Sequence, residues 1–501
     1  MKIFNKLLYL LVLGSFAACT YEFPEPQIEQ PTSGSADFTK IVSVGNSLTA
    51  GFMDGALYDR GQQNSFAVIL AEQARQVGGG DFNVPEINSV NGFFQMGSQG
   101  PLGRLILTVN TQTGAAGPEP IGAGDLPGDF TGNKANLNNF GVPGITLGTA
   151  LTPLTGGPAS PANPAYNRMY ERFASNPGTS TIIGDAAAAL ANGGTFFTFW
   201  LGNNDVLGYA TGGASNPAIL TSDADFQQRL GLALGALLQA SSNAKGAVAN
   251  IPDLNVLPHF NLINPLSFNV PDDFRSALLP GLTQLNQAIN GWNNAISNNE
   301  NLTDDEKAIL IRPVLTDNFN QYKLVVADPT LSDAQVPLPN GDIFVIPKIR
   351  NLNDSDGYKL PLGARAFLEQ GIGISPLAPI IESQHDAMIL TPSEQDEIQQ
   401  KITTFNGFIS AAVQANAERL VLVDVNDLLN RVLAGSVSSG GVGLTASIVP
   451  PNGGFSLDGV HPNARAHAFV ANHFINAING KWGSNIPLVN PNQFIGNDLP
   501  R

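Results

Sequence analysis

The sequence has almost no cysteine and little charge. Its 501 residues include one cysteine, Cys19, so an internal disulfide cannot form and any covalent use of that thiol must be of another kind. Charged residues make up 13%, and the acidic ones outnumber the basic ones by 41 to 25, for a formal net charge of -16. That balance repels phosphate backbones and supplies no basic stripe, which excludes nucleic acid as a partner. Past the N-terminus no segment reaches the roughly 18 consecutive apolar residues that a membrane-spanning helix requires. No internal repeat of fixed period is present either. What the chain does have is a 43% hydrophobic fraction, enough for a sizeable core, together with 53 glycines and 35 prolines, the composition of long ordered loops. Length alone allows one large domain or two to three smaller ones.

At the start of the chain, Lys2 and Lys6 precede an apolar run over residues 7–16, and Ala17-Ala18 lead directly into Cys19. A basic head, a short apolar run and small residues are the parts of an export signal, here residues 1–18. The small residues before the cysteine resemble the bacterial lipobox, although Phe16 stands where that pattern prefers Leu. The resemblance implies acylation of Cys19 and a membrane partner through an N-terminal lipid anchor. The expected location is the outer membrane of a Gram-negative bacterium, on its periplasmic or surface face. Residues 19–36, rich in Pro, Glu, Gln and Ser, read as a flexible tether.

Further along, residues 41–44 form a β-branched run that leads through Gly45-Asn46-Ser47 into helical spacing over 65–75. Comparable buried-strand runs recur at 195–201, 246–251 and 420–425, after helical stretches such as 226–240 and 395–416. This alternation predicts an α/β fold: a mostly parallel sheet covered by helices. A last helix is expected to begin at Pro462 and run to about residue 478, with a polar, irregular tail after Gly480. Two stretches break the alternation. Residues 84–132 are glycine-rich with a hairpin-like 105–110, and residues 265–393 read as an insertion with its own helix (282–296) and strand candidates at 322–327 and 342–347.

Four short segments are candidates for the parts of an activated hydroxyl, which needs a base, a group that fixes the base, and donors for the oxyanion that forms; taken singly, the first three read equally as a helix cap, a proline-glycine turn and a strand-end turn. Gly45-Asn46-Ser47-Leu48 follows a strand, and its glycine is expected to let the chain turn sharply and expose Ser47. Asn139-Phe140-Gly141-Val142-Pro143-Gly144 reads as a polar turn whose backbone N–H can approach a substrate oxygen. Gly202-Asn203-Asn204-Asp205 follows the aromatic run 195–201 and puts the Asn204 amide at a strand end, free to donate. In Asp458-Gly459-Val460-His461, a carboxylate three residues from an imidazole can fix its tautomer and leave the other ring nitrogen free.

In this order the four segments resemble the blocks of the SGNH, or GDSL, hydrolase superfamily. Residue by residue, the resemblance makes Ser47 the nucleophile, His461 the general base and Asp458 its orienting carboxylate. The oxyanion hole becomes Ser47 N–H, Gly144 N–H and the Asn204 side chain, while Asn139 and Asp205 are structural. Asn46 departs from the family's Asp, which is no triad member. The implied fold is a three-layer α/β/α, flavodoxin-like hydrolase domain over residues 37–480, interrupted at about 265–393 and followed by an irregular tail, 481–501. The implied activity is hydrolysis of carboxylic esters on a small molecule or a polymer, acetylated carbohydrate included, without metal or other cofactor. Rival readings are a thioesterase or phospholipase of the same fold and a catalytically silent glycan- or lipid-binding lipoprotein. Acyl chain, alcohol and oligomeric state stay open.

Other candidates are set aside. His259, His385, His467 and His473 lack a carboxylate at pairing distance in a recognisable motif, apart from the adjacent His385-Asp386, whose side chains are expected to diverge. Residues 353–357 hint at a calcium loop, but Leu352 and Gly363 fall on ligand positions and break the pattern. Residues 51–58 are read as scaffold, and the aromatic runs at Phe93-Phe94 and 196–200 as core.

Overall fold

The computed structural model describes residues 30–109, 116–337, 341–439 and 441–499. The signal segment, Cys19 and most of the expected tether therefore lie outside the described residues.

Five strands build an all-parallel central sheet: β1 (Ile41–Gly45), β2 (Asn139–Gly141), β3 (Phe196–Trp200), β4 (Lys245–Ala249) and β5 (Leu420–Val423), in the order β5-β4-β3-β1-β2. All of β1 and β3 is buried, which is why they read as unbroken apolar runs rather than as alternating ones. Successive side chains of β3 go to opposite faces. Trp200 packs edge-on to Phe66 at 5.3 Å, while Phe197 reaches over β4, where a Cβ at Gly246 would come within 2.4 Å of its ring.

One set of helices comprises α2 (Phe66–Ala74) and α9 (Ala464–Trp482), packed on each other; another comprises α3 (Ile182–Ala191), α5 (Asp223–Ala240) and α7 (Pro392–Ala415). Stacking of Phe226 on Phe405 at 3.8 Å joins α5 to α7. Short helices α1 (Ser47–Ala50), α4 (Asn204–Thr211) and α8 (Val425–Leu433) leave the carboxyl ends of β1, β3 and β5. The chain passes from β1 to β2 on one side and then to β3 on the other, so the strand order reverses at β1, where open parallel sheets bind ligands.

Residues 263–389 hold a second apolar cluster, distinct from the core around the sheet. It is built on α6 (Asp272–Ser297), which starts ten residues before the expected 282: Phe274 and Leu278 already pack on the cluster at helical spacing, and Pro280-Gly281 inside the helix breaks the helical signal there. Antiparallel pairs join 325–327 to 349–351 and 334–337 to 343–346. The first is shorter than the expected 322–327, since Tyr322 pairs with Phe268 in an isolated bridge.

Several boundaries differ from the sequence expectation. The segment at 139–144 is more than a turn: Asn139–Gly141 is the edge strand β2, too short to show a pattern. The last helix starts at Ala464 under an Asn463 cap, whose Oδ1 accepts the Ala466 N–H at 3.1 Å, and it continues to Trp482. The tail beyond it is irregular in backbone yet packed, with Ile486 and Val489 in the core and Val489 paired both ways with the Asn472 amide at 2.8 Å. Residues 30–36, expected as the end of a flexible tether, are tied to that tail by Ser35 N–H to Trp482 O at 2.9 Å and Asn485 N–H to Thr32 O at 3.0 Å. Pro, Ser and Gly there signal the lack of helix and strand, not the lack of contacts.

Candidate active site

Ser47 opens α1 directly at the end of β1. Asn46 caps it, its Oδ1 accepting the Leu48 N–H at 3.0 Å, as Asn does at helix starts. Gly45 has a role other than the expected sharp turn. Its φ is not positive, but a Cβ there would lie 1.9 Å from Thr49 Oγ1 and 2.9 Å from Trp200 O. Close approach of α1 to the strand, rather than backbone freedom, requires the glycine. Among the described residues no protein acceptor takes the Ser47 N–H, one of the unpaired donors of a first helical turn.

Asp458 and His461 come from the loop before α9 and face Ser47 across 414 residues of sequence. Nε2 of His461 lies 2.8 Å from Ser47 Oγ, and its Nδ1 lies 2.8 Å from Asp458 Oδ2. Asp458 is filled with donors: its Oδ1 accepts the N–H groups of Val460 and His461, both at 2.9 Å, and Oδ2 also accepts Gly55 N–H at 3.0 Å. Burial pushes this carboxyl up, but the His461 ring and the backbone donors outweigh it and hold it well below the usual carboxylate range. An ionised Asp458 only accepts, so Nδ1 carries the proton and Nε2 is the acceptor for the Ser47 hydroxyl.

Residues 51–58, read from sequence as scaffold, clasp this loop. Asp54, with φ 55, donates its N–H to Ser456 Oγ at 2.9 Å, and its Oδ1 accepts Leu457 N–H at 3.1 Å. Tyr58 Oη donates to Asp54 Oδ2 at 2.7 Å, and Arg104, 3.8 Å from the same oxygen, lies over the Tyr58 ring. Phe52 leans on the His461 ring at 4.9 Å. His259 supports the loop through its backbone N–H, which donates to Gly459 O at 2.9 Å. Sequence could have flagged this clasp only by the density of Asp, Gly and Tyr after the Ser47 block.

The two expected oxyanion loops flank Ser47, since β2 and β3 are the neighbours of β1. Gly144, at φ 80, stands exposed after β2, with no side chain closer to its missing Cβ than the Asn167 amide at 4.0 Å. No protein acceptor takes its N–H among the described residues. Asn204 lines the same cleft as Ser47, but its amide is not wholly free: one Nδ2 hydrogen goes to Ile145 O at 2.8 Å, which leaves the other. Asn139 joins α1 to β2 through Nδ2 to Thr49 O at 2.9 Å. Asp205 joins α4 to the β2 loop by accepting Leu147 N–H at 2.9 Å; burial holds its carboxyl up at about 6 despite that bond and one from Thr221.

Beside Ser47 and His461 opens a cleft of about 810 Å³, counted with its mouth, walled by Leu428, Leu429 and Val432 of α8 and by Phe469 and Val470 of α9. Two of its features escaped the sequence reading. Asn203 lines it with Oδ1 buried and unpartnered among the described residues, and α8 lines it with an apolar face that its helical spacing after β5 could have revealed. Trp200, expected as core, also reaches the cleft while its indole N–H donates to Asn250 O at 3.0 Å. The rejected calcium loop is closed by Arg350, which holds both Asp356 oxygens at 2.8 Å. Among the described residues no three His, Cys, Asp or Glu side chains group to hold a metal ion. Comparison with protein-family models, curated proteins and solved structures finds no match to this chain.

Proposed function

We propose that this chain is a serine ester hydrolase of the SGNH type, with the flavodoxin-like strand order of that class and, through Cys19, a lipid anchor that holds it at the outer membrane. The observation that carries the reading is the unbroken relay from Ser47 Oγ through His461 to Asp458, with 2.8 Å at each link.

The relay supplies the steps of acyl transfer. His461 Nε2 takes the hydroxyl proton as Ser47 Oγ bonds to the ester carbonyl carbon, and the carbonyl π pair moves to oxygen. Ser47 N–H, the second Asn204 hydrogen and Gly144 N–H are the donors for that oxyanion. The protonated imidazole, steadied by Asp458, returns the proton to the departing alkoxide as the C–O bond breaks. Water then attacks the acyl-serine carbonyl as His461 takes one of its protons, and the imidazole returns that proton to Ser47 Oγ as the bond from Ser47 Oγ to the acyl carbon breaks and the acid leaves.

Replacement of Ser47 by Ala or of His461 by Ala is expected to lower hydrolysis of p-nitrophenyl butyrate by at least about 10³-fold while circular dichroism and the melting temperature stay close to wild type. Undiminished turnover by a folded Ser47→Ala protein would overturn the reading.

A further inference from the structure

We infer that the cleft beside Ser47 receives the acyl chain, and that the ester is one of a medium-length fatty acid rather than of acetate; this rests on the hydrolase reading above. The polar side chains in the cleft wall are Asn46, Ser47, Asn203, Asn204 and His461, all from the turns and helix starts after β1 and β3 and the loop before α9. No Asp, Glu, Lys or Arg lines it, and the wall beyond is Leu, Val, Phe, Pro, Ala and Gly with the Trp200 ring. Beyond Asn203, whose Oδ1 is the one buried, unpartnered acceptor among the described residues of the wall, a sugar hydroxyl or a charged headgroup would lose its water without gaining a partner, whereas a hydrocarbon chain gains from each methylene buried.

The cleft runs from Ser47 at β1 past β3 and β4 to α8 at the end of β5. Three inter-strand steps of about 4.8 Å make roughly 14 Å, several times the reach of an acetyl group.

The chemistry decides which half of the ester lies inside. The acyl group stays on Ser47 through both half-reactions, while the alcohol must leave and water must take its place beside His461. An apolar cleft filled by the alcohol would keep water from the acyl-serine. One filled by the acyl chain leaves the exposed Gly144 side open for exchange.

Isomeric esters separate the two arrangements at equal hydrophobicity. Wild-type protein is expected to hydrolyse methyl octanoate with a kcat/KM about tenfold or more above that for heptyl acetate. Leu429→Gln, which puts an amide in the cleft wall, is expected to lower that ratio several-fold. A ratio at or below one overturns the assignment.

Calorimetry of octanoate on Ser47→Ala protein makes this failure distinct from failure of the hydrolase reading. Where wild type hydrolyses neither isomer, binding with a negative heat-capacity change, lost in Ser47→Ala/Leu429→Gln, keeps the cleft assignment and removes the hydrolase reading. No binding by a protein whose wild-type Ser47 still reacts with a small fluorophosphonate overturns the cleft assignment and leaves the hydrolase reading standing.

Discussion

At Gly45 the constraint on the proposed nucleophile is space. The Thr49 hydroxyl and the Trp200 carbonyl crowd the position a Cβ would take, at 1.9 and 2.9 Å. Gly45→Ala is therefore expected to cost about 1–3 kcal/mol of stability by overpacking and to lower kcat/KM about 10²-fold through displacement of Ser47. Thr49→Ala in the same chain removes the nearer clash and is expected to restore part of both, as measured by denaturant melts and ester hydrolysis. Additive losses in the double variant would show that Thr49 is not the obstacle. The roles proposed for Ser47, Asp458 and His461 come from the resemblance of four ordered segments to one family, because a serine after a strand-ending glycine is by itself an ordinary helix cap and only the carboxylate three residues before an imidazole is a local signal. The sequence is silent on Thr49 against Gly45, and on Asp54 under Leu457, because those contacts exist only once α1 folds back on β1 and the chain ends meet, 403 residues apart for Asp54 and Leu457.

Among the elements, legibility follows burial. β1, β3, β4 and β5 were readable as apolar runs because helices cover both faces of the sheet, so every side chain in β1 and β3 is buried. β2 was not: three residues headed by Asn139 look like a turn, and only pairing with β1 makes them a strand. Proline misplaces helix starts in both directions: Pro280 lies inside α6, which begins at Asp272, and Pro462 stands just before the Asn463 cap of α9. The apolar face of α8 was present in the sequence as Leu428, Leu429 and Val432, but nothing local says that it turns toward Ser47.

For the molecule as a whole, acid tolerance is set by buried imidazoles. Burial holds His467 down at about 3 and His259 at about 4, against about 6.5 in an unfolded chain. Below pH about 6.5 the unfolded state thus binds protons that the folded state refuses, and stability falls as the pH drops toward those lower values. Asp205, held at about 6, and Asp54, which burial also raises, act in the opposite sense, adding stability as the pH falls toward the unfolded carboxyl value; against them stand three imidazoles lowered by burial, His473 being the third. His467 Nδ1 accepts Phe66 N–H at 3.2 Å, a bond that an Asn oxygen can take over. His467→Asn is expected to make the loss of stability between about pH 6.5 and 4.5 shallower, by up to about 1.4 kcal/mol per pH unit. Urea melts across that range give the slope, and an unchanged slope would remove His467 from the account. At this scale the α/β class was legible from alternation alone. The packing of residues 30–36 on the C-terminal tail was not, since it joins two segments without periodicity.

The central claim is that His461 and Asp458 make one serine nucleophilic. Mass spectrometry of the intact protein and its peptides after treatment with a small fluorophosphonate tests it most directly. The account predicts a single adduct on Ser47, formed rapidly by wild type and lost or strongly slowed in His461→Ala. No adduct on the folded wild-type protein, or equal labelling of Ser47 without His461, would contradict it.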